Sequence, residues 1–162
     1  MIIGITILVS SVAQARSFTD TYAKTLAAIT KAATNTGIAS DILMAVCWHE
    51  SNFRTKGATH MDGGSISYGI CQMKLATARF MDKKYGNVIK ATPLNLEDNY
   101  FNAKYAAQYL RYNLEAYDGN LDLALDAYNK GNAVSATSAY VKRVMKSLAY
   151  IHKKTENLSY AP

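Results

Sequence analysis

The segment from Ser40 to Ser51 constrains this chain most. Apolar residues recur at helical spacing ahead of Glu50: Val46 one turn back, Leu43 two turns back, with Ile42 and Ala39 continuing the stripe. A helix with such a face must bury it against other elements, and here a carboxylate closes the face. Burial disfavours the charged form and raises a carboxyl pKa. A carboxylic acid still protonated near neutral pH can act as a general acid. The same spacing also fits a solvated glutamate in a last helical turn, or one half of an ion pair.

The rest of the chain reads as helices joined by short turns. Residues 18–35 predict an amphipathic helix stopped at Asn35-Thr36-Gly37. Ser40 is expected to cap the Glu50 helix, with Asp41 favourable in its first turn. Residues 52–68 hold Gly57, Gly63 and Gly64 and predict a loop or short hairpin near Ile66. A helix is expected from about 70 to 84, stopping at Gly86. Asn95 is expected to cap a long helix over 96–116, with Asp98 in its first turn and Tyr100, Ala103, Ala107, Leu110 and Leu114 facing inward. Further helices are expected over 121–130, closed by Gly131, and over about 136–154. The strand signal is weak throughout. The expectation is a mostly α, single-domain fold with a small hairpin.

Length and composition agree. One domain of 162 residues with 49% hydrophobic content can bury a substantial core. No apolar run is long enough to span a bilayer. The net charge of +6 suits an anionic partner. The basic residues are scattered in pairs such as Lys83-Lys84 and Lys142-Arg143, without a nucleic-acid-binding motif, so nucleic acid is not the expected partner. Residues 1–15 are uncharged, nearly continuously apolar from Ile2 to Val9, and end in Ala13-Gln14-Ala15. They read as an export signal or an N-terminal anchor, leaving 16–162 as the domain. Export implies a periplasmic or secreted protein. It would also permit a bridge between the two cysteines, Cys47 and Cys71, for which two buried free thiols are the alternative.

Several chemistries fall away. His49-Glu50 begins a His-Glu-x-x-His zinc motif, but Phe53 occupies the second histidine position. Cys47 and His49, two apart on a helix, point to different faces. No metal or other cofactor is expected. Nothing resembles a Gly-x-Ser-x-Gly nucleophile. Glycoside cleavage fits better: it needs an acid on the leaving oxygen and often a second carboxylate. Glu50 can be the acid. Asp62 is the nearest candidate partner, although it also reads as a turn residue before Gly63-Gly64.

Three ordered segments sharpen this: Glu50-Ser51-Asn52-Phe53, Tyr68-Gly69-Ile70-Cys71-Gln72-Met73 and Ala127-Tyr128-Asn129-Lys130-Gly131. Together they resemble the lysozyme-like soluble lytic transglycosylases and goose-type lysozymes, over roughly residues 20–150. The resemblance implies a bilobal α domain, expected to be a monomer, whose cleft binds peptidoglycan glycan strands. It implies that Glu50 is the catalytic acid and then base, beside Ser51. Gln72, following Gly69, would contact the sugar, and Tyr128 would bind it at the cleavage point. Asn129 would hold its turn. Tyr140, paired with Val141, would also face the cleft. Core packing is the plainer reading for the tyrosines. Cys71 replaces a methionine of the family pattern, which favours a local disulfide with Cys47. The spacing from Glu50 to Gly69 and Gln72 is similar to the goose-type spacing. Goose-type enzymes carry an Asp in this loop, approximated by Asp62, and another two residues after the Gln, where this chain has Lys74. Three outcomes are therefore open: a lytic transglycosylase leaving 1,6-anhydromuramoyl ends, a muramidase assisted by Asp62, and a non-catalytic glycan-binding or assembly module.

Overall fold

A computed structural model describes residues 21–55, 59–62, 64–132 and 134–159; the side chains of His60, Asp62 and 154–159 lie outside the described residues, as does the expected export segment 1–15. The first helix, α1, runs over residues 21–36 and buries Ile29, Ala32 and Ala33 completely. It ends as the sequence predicts: the amide of Ile38 reaches back to the carbonyl of Ala33 at 3.0 Å, across Gly37. Helix α2, Ser40–Ser51, follows. Its N-cap is Ala39, without a side-chain hydrogen bond, and Ser40 is already helical. The expected Ser40 cap is thus off by one residue. Asp41 instead anchors this end, accepting the Ile42 amide at 2.8 Å and meeting His152 Nε2 at 2.8 Å. Leu43, Val46 and Cys47 are fully buried, while Ala39 at the far end of the predicted stripe is exposed.

The Gly-rich segment forms the expected hairpin and adds a third short strand. β1 (His60–Asp62) pairs antiparallel with β2 (Ser65–Tyr68), and β2 with β3 (Met73–Lys74). Met61 lies opposite Ile66, and Tyr68 opposite Met73. Helix α3, Leu75–Tyr85, begins five residues later than the expected 70, because residues 69–74 are taken by a turn and by β3. It stops at Gly86.

Before the central helix, Asn95 does not cap as expected. It sits in a 3-10 turn, Asn95–Glu97, where its side chain accepts the Thr92 amide and donates to the Lys90 carbonyl. The cap of α4, Asn99–Ala116, is Asp98, whose Oδ1 accepts the amides of Tyr100 and Phe101 at 2.9 and 3.0 Å. Helix α4 is the centre of the core: Asn102, Ala103, Tyr105, Ala106, Ala107 and Leu110 are wholly inaccessible. Its alanines leave room for neighbouring elements to pack closely, while Tyr100 and Leu114 are only half-buried. Helix α5, Leu121–Lys130, is capped by Asn120, which accepts the Leu123 amide. Helix α6, Ala139–Ser159, starts where Ser138 Oγ accepts the Val141 amide, and it packs along α2. Among the described residues no helix is long and apolar enough to cross a membrane.

Candidate active site

The site is built from the C-terminal turn of α2. Two neighbours of Glu50 tie that turn to the segment 69–72. Cys47 and Cys71 form a disulfide, and Ser51 Oγ donates to the Ile70 carbonyl at 2.6 Å. Helix α4 holds the same segment from the other side. Asn102 Oδ1 accepts the Cys71 amide at 2.8 Å, while Nδ2 donates to the carbonyls of Tyr68 and Leu96, both at 2.7 Å. Both amide protons of a buried side chain are thereby satisfied. Gly69 has φ +67, and a Cβ there would lie 2.5 Å from Asn102 Nδ2. Glycine is therefore required twice, by conformation and by the approach of Asn102. This frame fixes Gln72, itself left-handed at φ 53, with its Nε2 donating to the Gly69 carbonyl at 2.7 Å.

Two tyrosines complete the surroundings of the carboxylate. Tyr140, from the first turn of α6, donates its hydroxyl to Glu50 Oε1 at 2.7 Å. Sequence reading expects it to face the cleft; it stands against Glu50 with only 4% of its surface exposed. Tyr128, near the end of α5, donates to the Cys71 carbonyl at 2.8 Å and lies 3.2 Å from Met73 Sδ. Burial, and then the Glu50 charge, push both phenols well above the ordinary tyrosine value. Both remain protonated donors through the physiological range. The His49 ring meets Tyr140 edge-on at 5.1 Å, and its Nε2 faces Arg143 Nε at 3.5 Å. Burial, followed by the Arg143 charge, lowers the His49 pKa, so a neutral ring is favoured.

Glu50 opens onto a cleft of about 440 Å³. Gln72, Tyr128 and Asn129 line it with Glu50, so the sequence-predicted residues from three separate segments converge. Ser51 and Gly69 lie behind the surface as supports. Asn129, expected to hold its turn, is exposed on the rim; that turn is closed by the Gly131 amide on the Ala127 carbonyl at 2.8 Å. The expected approach of Asp62 concerns a side chain outside the described residues. Ser67, Met73, Lys74, Thr77, Tyr109, Lys130 and Gly131 also line the cleft. Lys130 pairs with the buried Asp126 at 3.1 Å, which also accepts the Ser135 amide at 2.7 Å and so holds the chain leading into α6. Ser67, Thr77, Tyr109 and the anchoring Asn102 carry no local sequence signal for the site, since each belongs to it only through packing. Lys130 was legible, lying within the Ala-Tyr-Asn-Lys-Gly segment. Among the described residues no cluster of three or more His, Cys, Asp or Glu could hold a metal ion.

This frame has known counterparts. The crystal structure of an inactive mutant of the lytic transglycosylase Slt from Pseudomonas aeruginosa superposes with a TM-score of 0.65 at 24% identity. The match covers 81% of this chain and 24% of that one, so the shared part is the fold of a single domain within a much longer protein. The transglycosylase SLT domain family matches residues 27–150, a span that includes Glu50, the Gly69–Gln72 turn, Tyr128 and Tyr140. With most of its length and every element bordering the cleft inside that match, the chain belongs to the transglycosylase SLT domain family.

Proposed function

We propose that the protein is a peptidoglycan lytic transglycosylase in which Glu50 acts as acid and then base. The observation that carries this reading is a carboxylate at the end of a buried helix face, hydrogen-bonded by a protonated phenol at 2.7 Å and open to a cleft lined by Gln72 and Tyr128. Protonated Glu50 delivers its proton to the glycosidic oxygen between N-acetylmuramic acid and N-acetylglucosamine, and the C1–O bond breaks. The muramoyl N-acetyl carbonyl stabilises the cationic sugar. The 6-hydroxyl of the same sugar attacks C1 and returns its proton to Glu50. The product is a 1,6-anhydromuramoyl end. An internal nucleophile has a large effective concentration, so no activated water is needed. Gln72 and Tyr128 position the sugar, and Tyr140 orients the carboxylate.

Lys74 on the cleft wall supports this over the hydrolytic outcome, because it stands where goose-type lysozymes carry a carboxylate. The working place consistent with this chemistry is the periplasm or the cell exterior. The test is digestion of purified cell wall. Glu50→Gln should abolish lysis with an unchanged circular dichroism spectrum, and mass spectrometry of wild-type products should show anhydro ends. Substantial activity in Glu50→Gln would sink the assignment. Fully reducing ends, with Asp62→Asn as damaging as Glu50→Gln, would make the protein a muramidase. Absence of any cleavage by the wild type would leave a glycan-binding module.

A further inference from the structure

The loop joining α3 to the 3-10 turn displays apolar side chains that the rest of the fold does not use. Val88 is 93% exposed, Leu94 81% and Ile89 54%. Chain ends and flexible tips often carry stray apolar residues, but this loop is held rigidly. Buried Asp82 accepts the Ala91 amide at 2.7 Å through Oδ2, and the Asn87 side chain and Tyr105 hydroxyl through Oδ1. Asn87 and Gln108 exchange two amide hydrogen bonds, both at 3.0 Å. Asn95 closes the far end through Lys90 and Thr92. Five hydrogen-bonding side chains thus fix a backbone whose apolar groups point to water.

Charge identifies what this surface fits. Lys83 and Lys84 occupy the last turn of α3, and Lys90 lies within the loop; all three are exposed. Asp82, the carboxylate nearest in sequence to the lysines, is buried in the network and faces inward. Beyond the loop, Glu97 accepts from Thr59, and Asp98 caps α4. A projecting apolar tip flanked by cations matches a bilayer surface with anionic headgroups: the side chains enter the acyl boundary while the lysines stay among phosphates. The location is compatible with cleavage. Leu75, at the start of α3, follows the cleft-lining Lys74, whereas the loop follows the other end of that helix, about 16 Å away along its axis.

We infer that the loop over residues 86–94 is an interfacial docking site for anionic phospholipid membranes, seating the domain with its cleft free. The full chain should float with vesicles of phosphatidylglycerol and phosphatidylcholine in equal parts, and less at high salt. Val88→Ser/Ile89→Ser/Leu94→Ser should bind at least tenfold more weakly, with an unchanged melting temperature. Comparing full-length chains keeps the apolar Ile2–Val9 segment constant. A site-specific readout comes from Val88→Cys bearing a polarity-sensitive dye, since both native cysteines are bridged. Its emission should shift to the blue with these vesicles and stay unshifted with pure phosphatidylcholine. Equal binding by the triple variant, or a dye that remains in water, would overturn the inference. So would a triple variant that changes only self-association, since the face would then serve a second copy of the chain. None of these readouts depends on wall cleavage, so this inference and the proposed activity can fail separately.

Discussion

The Tyr140 hydroxyl donates to Glu50 Oε1 at 2.7 Å, joining residues ninety positions apart in the chain. One comes from the end of α2 and the other from the start of α6, so the packing of these two helices sets the orientation of the carboxylate. Burial keeps the phenol protonated, which makes it a constant donor. Removing it leaves the carboxylate free to rotate. Tyr140→Phe should therefore lower kcat about 10- to 100-fold, since Glu50 becomes anionic as its proton leaves and a hydrogen bond to a charged group contributes roughly 1.5–3 kcal/mol. KM should change little, because the ring stays in place. Steady-state kinetics on soluble glycan fragments would check this, and an unchanged kcat would remove Tyr140 from the mechanism.

The Asn102 anchor predicts a stability effect. Asn102→Ala leaves the Cys71 amide and the carbonyls of Tyr68 and Leu96 without that partner. Each orphaned buried group costs about 1–3 kcal/mol. Partial relaxation should hold the total near ~4 kcal/mol, which in a chain of this size lowers the melting temperature by about 8–16 °C. Gly69→Ala should act in the same direction, because its Cβ would meet the Asn102 amide and the Leu96 carbonyl, both at 2.5 Å. Calorimetry decides. A shift of under ~2 °C for both variants would show that the turn is held by other contacts.

The Cys47–Cys71 bridge closes a short loop, with 24 residues of sequence separation. Cross-links over loops of this order restrict the unfolded chain by about 3 kcal/mol. The double variant Cys47→Ala/Cys71→Ala should melt about 6–12 °C lower than the oxidised protein. Activity per folded molecule should fall less than in Tyr140→Phe, since Ser51 and Asn102 still hold the turn.

Stability should fall at both extremes of pH. Tyr128 and Tyr140 have raised values in the folded state, through burial and then the Glu50 charge. Below about pH 10 they are protonated whether folded or not, and their contribution is complete. As pH rises from there toward the folded values, only the unfolded chain ionises, and stability is lost. On the acid side, burial tends to raise Asp126, but hydrogen bonds from Ser138, the Ser135 amide and Lys130 outweigh it, so its pKa is lowered. That contribution is present above the unfolded value of 3.8 and is lost as pH falls toward the folded one. Urea midpoints across pH, with tyrosinate absorbance followed at the alkaline end, would test both limbs. A midpoint that holds constant above pH 10 would contradict the burial of the two phenols.

Features set within one helical turn are largely legible in the order of the residues. The expected helix over 121–130 and its stop at Gly131 match α5, and Gly37 marks the end of α1, whereas the Asn120 cap of α5 emerges only in the structure. The Glu-Ser, Gly-Ile-Cys-Gln and Ala-Tyr-Asn-Lys-Gly segments point to the residues that gather at the cleft. Local signals misled where two residues offered the same chemistry. Asn95 and Asp98 can both cap, and the competing bonds of Asn95 to Lys90 and Thr92 leave α4 to Asp98. They misled again at α3, where strand pairing of Tyr68 with Met73 overrode a helical pattern beginning at Ile70. Packing is what makes Asn102 bolt the turn, sets Tyr140 against Glu50 and brings Lys130 and Lys74 to one cleft wall. Capping and periodicity act over a few residues, whereas a hydrogen bond spanning thirty to ninety positions exists only once the helices have packed and their side chains have been excluded from water.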